Sequence, residues 1–269
     1  MTRRPKRLRA PAAVLVTATA LTVLAGPTIL VEAAASAPTG TLNLNAALRT
    51  RAVLGDCPAG VSATVCSQRT STGLSAGLGQ VMATYTFLLD TGPPACSDPD
   101  LGKTRSYPVR FVIASKGEIQ FQLAAGADCM SEARAQTQSF TVTGGTGIYA
   151  GASGSGTVTR RLATTAYGAF GVETWTGTLA VPGLDFDVTR PTLAGATNKT
   201  VRAPRGAKSA RVAFRVTAHD DHDGALPVAC KPRSGSRFKI GRTRVTCSSI
   251  DRSANTAKAS FTVTVRPTT

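Results

Sequence analysis

Apolar and polar residues alternate with a period of two through much of the chain. VMATYTFLLD (81–90), YPVRFVIA (107–114), EIQFQLA (118–124), SFTVTG (139–144), GTVTRRLAT (156–164) and VETWTGTLAV (172–181) each offer one apolar and one polar face, the pattern of half-buried strands. Gly, Pro, Asp and Ser punctuate them. Pro93-Pro94 and Asp98-Pro99 mark a loop, and Lys116-Gly117 marks a tight hairpin. About eight strands fit between residues 62 and 188, and no segment sustains a helical period. Many antiparallel strands without helices predict an all-β barrel or sandwich.

A second alternating region follows GLDFDVTRPTL (183–193), with only Arg190-Pro191 as a connection. In RVAFRV, Val212, Phe214 and Val216 share one face, and Arg211, Ala213 and Arg215 the other. In RFKIGRTRVTC, Phe238 and Ile240 oppose Arg237 and Lys239. Beyond a turn at Gly241, Thr243, Val245 and Cys247 oppose Arg242 and Arg244. The expected division is a flexible arm over 38–52, a β-barrel domain over 53–186 and a sandwich over 187–269.

The first 37 residues have a different character. Arg3, Arg4, Lys6, Arg7 and Arg9 precede an uncharged run, Ala12 to Ala25, and small residues end in Ala35-Ser36-Ala37. This is the layout of a secretory signal peptide over 1–37, cleaved after Ala37. The run is short for a membrane span, and no later stretch is apolar enough to cross a bilayer with a helix. A secreted, extracellular chain is expected.

Export makes the cysteines informative. Cys57, Cys66, Cys96, Cys129, Cys230 and Cys247 make an even count without C-x-x-C spacing, which suggests three disulfides rather than a structural zinc site. Fifteen connectivities exist for six cysteines. Two separate domains require Cys230 to pair with Cys247, and the expected remainder is Cys57 with Cys66 and Cys96 with Cys129.

Charge separates the two regions further. Residues 38–186 hold ten Lys/Arg against nine Asp/Glu, whereas residues 187–269 hold sixteen against five. The outward-facing bases Arg211, Arg215, Arg237, Lys239, Arg242 and Arg244 form the candidate surface for polyanions. Anionic cell-wall polymers and membrane headgroups are the expected partners. Specific nucleic-acid recognition is not expected, since few aromatics interleave with the bases.

The stretch SFTVTGGTGIYAGASGSGTVTRR (139–161) tests for a nucleotide site. Gly145-Thr146-Gly147-Ile148-Tyr149-Ala150 matches half of a dinucleotide fingerprint, but GASGSGTV follows where a helix must start. No acidic residue lies near 165, and no Gly-Lys-Ser/Thr follows for a P-loop. A glycine-rich turn between strands is the expectation, with no cofactor. GGTGIYAGASGSGTV resembles the glycine-rich strand-turn of the dirigent and allene oxide cyclase type of eight-stranded barrel. That resemblance implies an eight-stranded antiparallel barrel able to hold a small hydrophobic or phenolic ligand.

The C-terminal region resembles a hyalin repeat (HYR) domain. The match runs through RPTL (190–193), NKTVRAP (198–204) and residues 212–265, with Asp223-Gly224, Cys230, Ser234-Gly235-Ser236, Phe238, Gly241, Cys247, Asp251 and Asn255-Thr256 in family order. Ala254 departs from it, standing where the family usually has Gly. The resemblance implies an immunoglobulin-like sandwich, a bond between the two cysteines and a role in adhesion.

Candidate chemistry is sparse. In HDDHDG (219–224), Asp220, Asp221 and Asp223, with Asp251, could offer oxygens to Ca²⁺. The favoured reading is a polar turn before Gly224, and no metal is expected. His219 and His222 lack a matching nucleophile. Glu118, Glu173, Tyr85, Tyr107, Tyr149 and Trp175 are the groups a barrel cavity would use, but spacing does not bring any two together. The expected protein is an exported binding or adhesion protein of a bacterial surface, with the barrel as scaffold or ligand holder. The alternative is a small-molecule isomerase or cyclase working in the barrel.

Overall fold

The computed structural model describes residues 39–99, 101–129, 135–165 and 168–268. The expected signal peptide lies outside the described residues. Among them no helix is long and apolar enough to cross a membrane.

The N-terminal part is a closed antiparallel barrel. Its eight wall strands are β1 (Thr39–Gly55), β2 (Val65–Ser75), β3 (Gly79–Thr91), β5 (Tyr107–Ile113), β6 (Gly117–Leu123), β7 (Gln136–Gly145), β8 (Ser153–Thr165) and β9 (Gly168–Pro182). The hydrogen-bonded order β2-β1-β9-β8-β7-β6-β5-β3 closes through β2–β3, and the short β4 (Gly102–Thr104) adds to the end of β3. Inward and outward residues alternate along each wall strand, as the sequence pattern requires.

One expectation fails here. The flexible arm over 38–52 is instead most of β1, which runs between β2 and β9 with fourteen registered pairs to β9, from Thr39↔Pro182 to Ala52↔Ala169. Leu42, Leu44, Ala46, Leu48, Thr50 and Ala52 point inward and are buried. The barrel would have an open edge without this strand, and closure removes that edge.

The glycine stretch is a turn between strands, as expected. β7 ends at Gly145, a three-residue 3-10 turn covers Gly147–Tyr149, and β8 begins at Ser153. Gly147 sits at φ +62, and a Cβ there would overlap the Lys116 carbonyl oxygen, so only glycine fits. Gly156 faces Gly177 across β8–β9 with Phe140 against it. The missing side chains leave room for that ring in the core.

The C-terminal part is built from β10 (Thr192–Ala194), β11 (Lys199–Arg202), β12 (Ser209–Arg211), β13 (Thr217–Asp220), β14 (Gly224–Leu226), β15 (Ala229–Lys231), β16 (Arg237–Lys239), β17 (Gly241–Ile250) and β18 (Thr256–Arg266). They form a sheet β11-β18-β17-β15, a sheet β10-β13-β14 and a ribbon β12-β16. Val212, Phe238, Val245, Cys247, Phe261 and Val263 anchor their common core. Val212, Phe214 and Val216 turn inward as expected, although residues 212–216 are extended without ladder pairing. Ile240 does not turn inward. It is exposed, because β16 ends at Lys239 and Gly241 (φ +120) reverses the chain directly after it.

Disulfides join Cys57–Cys66, Cys96–Cys129 and Cys230–Cys247. The last bridges two directly registered residues of β15 and β17. The two parts touch through backbone: the Gly77 amide donates to the Ser253 carbonyl at 2.8 Å.

Candidate functional site

The barrel interior has two layers. Phe111, Phe121, Phe140 and Trp175 stack edge and face with centroids 4.6 to 5.3 Å apart. Beside them is a polar layer drawn from six strands. Arg160 of β8 and Glu173 of β9 are registered partners, both fully buried, with Arg160 Nε 3.2 Å from Glu173 Oε1.

Glu173 also accepts from the Tyr85 hydroxyl, from Trp175 Nε1 at 3.3 Å and from Ser71 Oγ at 3.4 Å. Arg160 donates to Gln138 Oε1 at 2.6 Å, which also accepts from the Tyr107 hydroxyl at 3.0 Å. Arg69, equally buried, lays its guanidinium 3.6 Å from the Phe87 ring centroid. These hydrogen bonds offset the cost of burying the charge pair, although Arg160 Nη2 is left without a hydrogen-bond partner. Burial pushes the Tyr107 phenol up to about 12, against the pull of Arg160 and Arg69. Tyr85 is raised further, by burial and then by the Glu173 carboxylate.

Of the groups expected in a barrel cavity, Tyr85, Tyr107 and Glu173 do meet. Trp175 packs in the aromatic layer, and Tyr149 is buried in the 3-10 turn. Glu118 is outside: it lies on the outer wall, 3.8 Å from Arg110. Two interior carboxylates therefore do not face each other, and the one that is inside is engaged by four donors. Arg160, Arg69 and Gln138 escaped the sequence reading because their neighbours suggested ordinary outward polar positions. Period two does mark them: Arg160 falls in phase with Val158 and Leu162, and Gln138 with Phe140 and Val142.

The wall is indented beside the polar layer, whose members stay buried. β3 and β5 register at Met82↔Val112 and Ala83↔Phe111, and the ladder lapses beyond. Pro108 brings no N–H to this part of the wall. A pocket of about 430 Å³ opens there, lined by Val61, Tyr85, Leu88, Tyr107, Pro108 and Arg110 among others. Tyr85 and Tyr107 stack at 5.6 Å with rings 7° from parallel.

The six expected surface bases are all exposed but do not form one group. Arg211 faces Arg237 across β12–β16, with Lys239 opposite Ser209, and Arg215 lies in the unpaired stretch before β13. Arg242 and Arg244 stand on the outer face of the four-stranded sheet, opposite Thr264 and Thr262. Arg202, Lys231, Lys258 and Arg266 share that face. The alternation in KASFTVTVR (258–266) signalled two of these. Between the bases are Thr246, Ser248, Ser260, Thr262 and Thr264, and no carboxylate. The five acids of this part lie elsewhere: Asp187 follows the barrel, Asp220, Asp221 and Asp223 end or follow β13, and Asp251 follows β17.

No curated relative matches the chain. Residues 186–265, the region of the sheets β10 to β18, match the HYR domain family.

Proposed function

We propose that this is an extracellular adhesion-type binding protein whose C-terminal part attaches it to an anionic surface polymer or membrane headgroup. The observation that carries this reading is the outer face of β11-β18-β17-β15, where six bases alternate with hydroxyl side chains and no acid intervenes. Mixed charges would serve solubility equally well. A single sign on one sheet face, with the acids removed to the turns, serves attraction to polyanions. HYR domains are generally associated with extracellular adhesion-like proteins, which agrees with this setting, as do the three disulfides.

The test is co-sedimentation with anionic cell-wall preparations and with anionic or zwitterionic vesicles. Retention should fall roughly tenfold between about 50 and 500 mM NaCl. Arg242→Glu with Arg244→Glu should abolish it at low salt. Retention indifferent to salt, or none at low salt, overturns the reading.

A second reading rests on the wall opening beside Tyr85 and Tyr107. Two stacked phenol rings beside a rim of Val61, Leu88 and Pro108 with Gln68, Thr84 and Arg110 suit a small flat aromatic or phenolic ligand. Holding such a ligand fits the arrangement better than isomerase or cyclase chemistry, since Glu173 has no oxygen left uncommitted. Quenching of Trp175 by phenolic probes, lost in Tyr85→Ala, is the expected result.

A further inference from the structure

The acids at the base of the C-terminal part gather into two groups that share Asp187. Oxygens of Asp187, Asp223 and Asp251 lie within 4.8 Å of one another, and so do ligand atoms of Asp187, Asp220 and His222. The carboxylates come from three segments: the chain leaving the barrel, the β13–β14 turn and the β17–β18 turn.

Reading the stretch as a polar turn accounts for half of three of these carboxylates, Asp187, Asp220 and Asp251. Asp220 Oδ1 accepts from the amides of His222 and Asp223 at 3.0 and 3.2 Å. Asp187 Oδ1 accepts from the Thr189 amide and hydroxyl, and Asp251 Oδ1 from the Asn255 amide at 2.8 Å. The other oxygens, Oδ2 of Asp187, Asp220 and Asp251, are buried without a hydrogen-bond partner. Asp220 is 2% exposed and Asp251 6%. Unpaired carboxylate oxygens at this depth are costly.

The opposing positive charge is small. The Arg252 guanidinium, 3.4 Å from Asp223 Oδ1, is itself mostly exposed, and the His222 ring is 3.5 Å from Asp187 Oδ1.

Asp187, Asp220 and Asp251 are thus each oriented by one oxygen on backbone amides while the other is left over, the division of labour of a metal ligand and its supporting shell. Asp223 differs, its Oδ2 accepting from the Arg252 amide at 2.7 Å. The oxygens of Asp187, Asp223 and Asp251, within 4.8 Å of one another, fit around an ion with contacts of about 2.3–2.6 Å, and Asp220 adjoins them through Asp187. We propose that Asp187, Asp220, Asp223 and Asp251 bind a hard divalent cation, Ca²⁺ above all, at the junction between the barrel and the C-terminal part. His222 stands at the rim. An all-carboxylate set selects Ca²⁺ over softer metals. The ion ties the segment leaving the barrel to two turns of the C-terminal part. The second of those turns also touches the barrel, through Ser253 to Gly77. The cation therefore fixes the junction.

The experiment is calorimetric titration of CaCl₂ into the EGTA-stripped full chain, with melting curves in EGTA and in about 10 mM CaCl₂. One saturating site and a rise of several degrees in Tm are expected. Asp251→Asn and Asp220→Asn should lose both, yet melt no lower than the parent in EGTA, because they relieve repulsion and keep the Oδ1 acceptor. Asp221→Asn, outside the cluster, should bind normally. No binding heat and no Tm shift overturns the proposal. A shift matched by NaCl at equal ionic strength overturns it too, as does an equal shift in Asp251→Asn, or a site that takes Zn²⁺ and refuses Ca²⁺. If the Asn variants fail to fold, the parent titration alone still decides.

Discussion

Ala254 shows how much one side chain can matter. It sits at φ +65, between Asp251, whose carbonyl takes its amide, and Asn255. A residue with a Cβ pays roughly 1–2 kcal/mol in this left-handed region, and the glycine of the resembling family would not. Ala254→Gly should therefore stabilise the protein by up to about 1 kcal/mol, after the extra entropy of unfolded glycine, as read from urea unfolding. In the barrel, Glu173→Gln strands the buried Arg160 without its counter-charge. A loss of about 3–5 kcal/mol is expected, largely recovered when Arg160→Met is added. The buried phenols make a pH prediction. Phenols ionise near 10 in the unfolded chain, whereas Tyr107 and Tyr149 are held at about 12 in the folded one, chiefly by burial. Their contribution is complete below pH 10 and is lost as pH rises from about 10 toward 12, because only the unfolded state releases the protons. Urea unfolding at about pH 9 and 11 should show the drop, and Tyr107→Phe should shrink it.

Among elements, β1 is the most instructive. Its inward residues alternate faithfully, but apart from Thr50 they are Leu and Ala rather than the β-branched and aromatic residues that advertise a strand. Lying just after the signal-like segment, it suggested a tail. Six of the other wall strands were legible because Val, Phe, Ile and Tyr carry their alternation, whereas β2, which turns Arg69 and Ser71 inward, was not. If β1 is a barrel stave, Leu48→Ala, at a fully buried position, should cost about 2–5 kcal/mol, whereas Asn45→Ala on the outer face should change stability by less than about 0.5 kcal/mol. Chemical denaturation checks both. The sites were less readable than the strands. Which inward position holds Arg160 rather than Val is written in the alternation, but its partner is set by barrel register. The same holds for the acids, since three segments far apart in sequence meet only after folding.

At the scale of the whole molecule, the two large hydrophobic clusters among the described residues lie one in the barrel and one in the C-terminal part. The sole tryptophan, Trp175, belongs to the barrel core, so its fluorescence reports one part and not the other. Cys230→Ala with Cys247→Ala opens a 17-residue loop and should weaken the C-terminal part by about 3 kcal/mol. The Trp175 transition should keep its midpoint, while far-UV circular dichroism resolves an earlier one.

The pairing of β1 with β9 has a consequence in time. The first stave of the barrel finds its longest partner only after residue 182 has been made. At about 5–20 residues per second, the ribosome needs roughly 6–25 s to travel from residue 55 to that point. Throughout that interval β1 can register with β2 alone, leaving its other side unsatisfied. The nascent chain therefore stays threadable until its ring is ready to shut, and shutting comes as one late, long-range event.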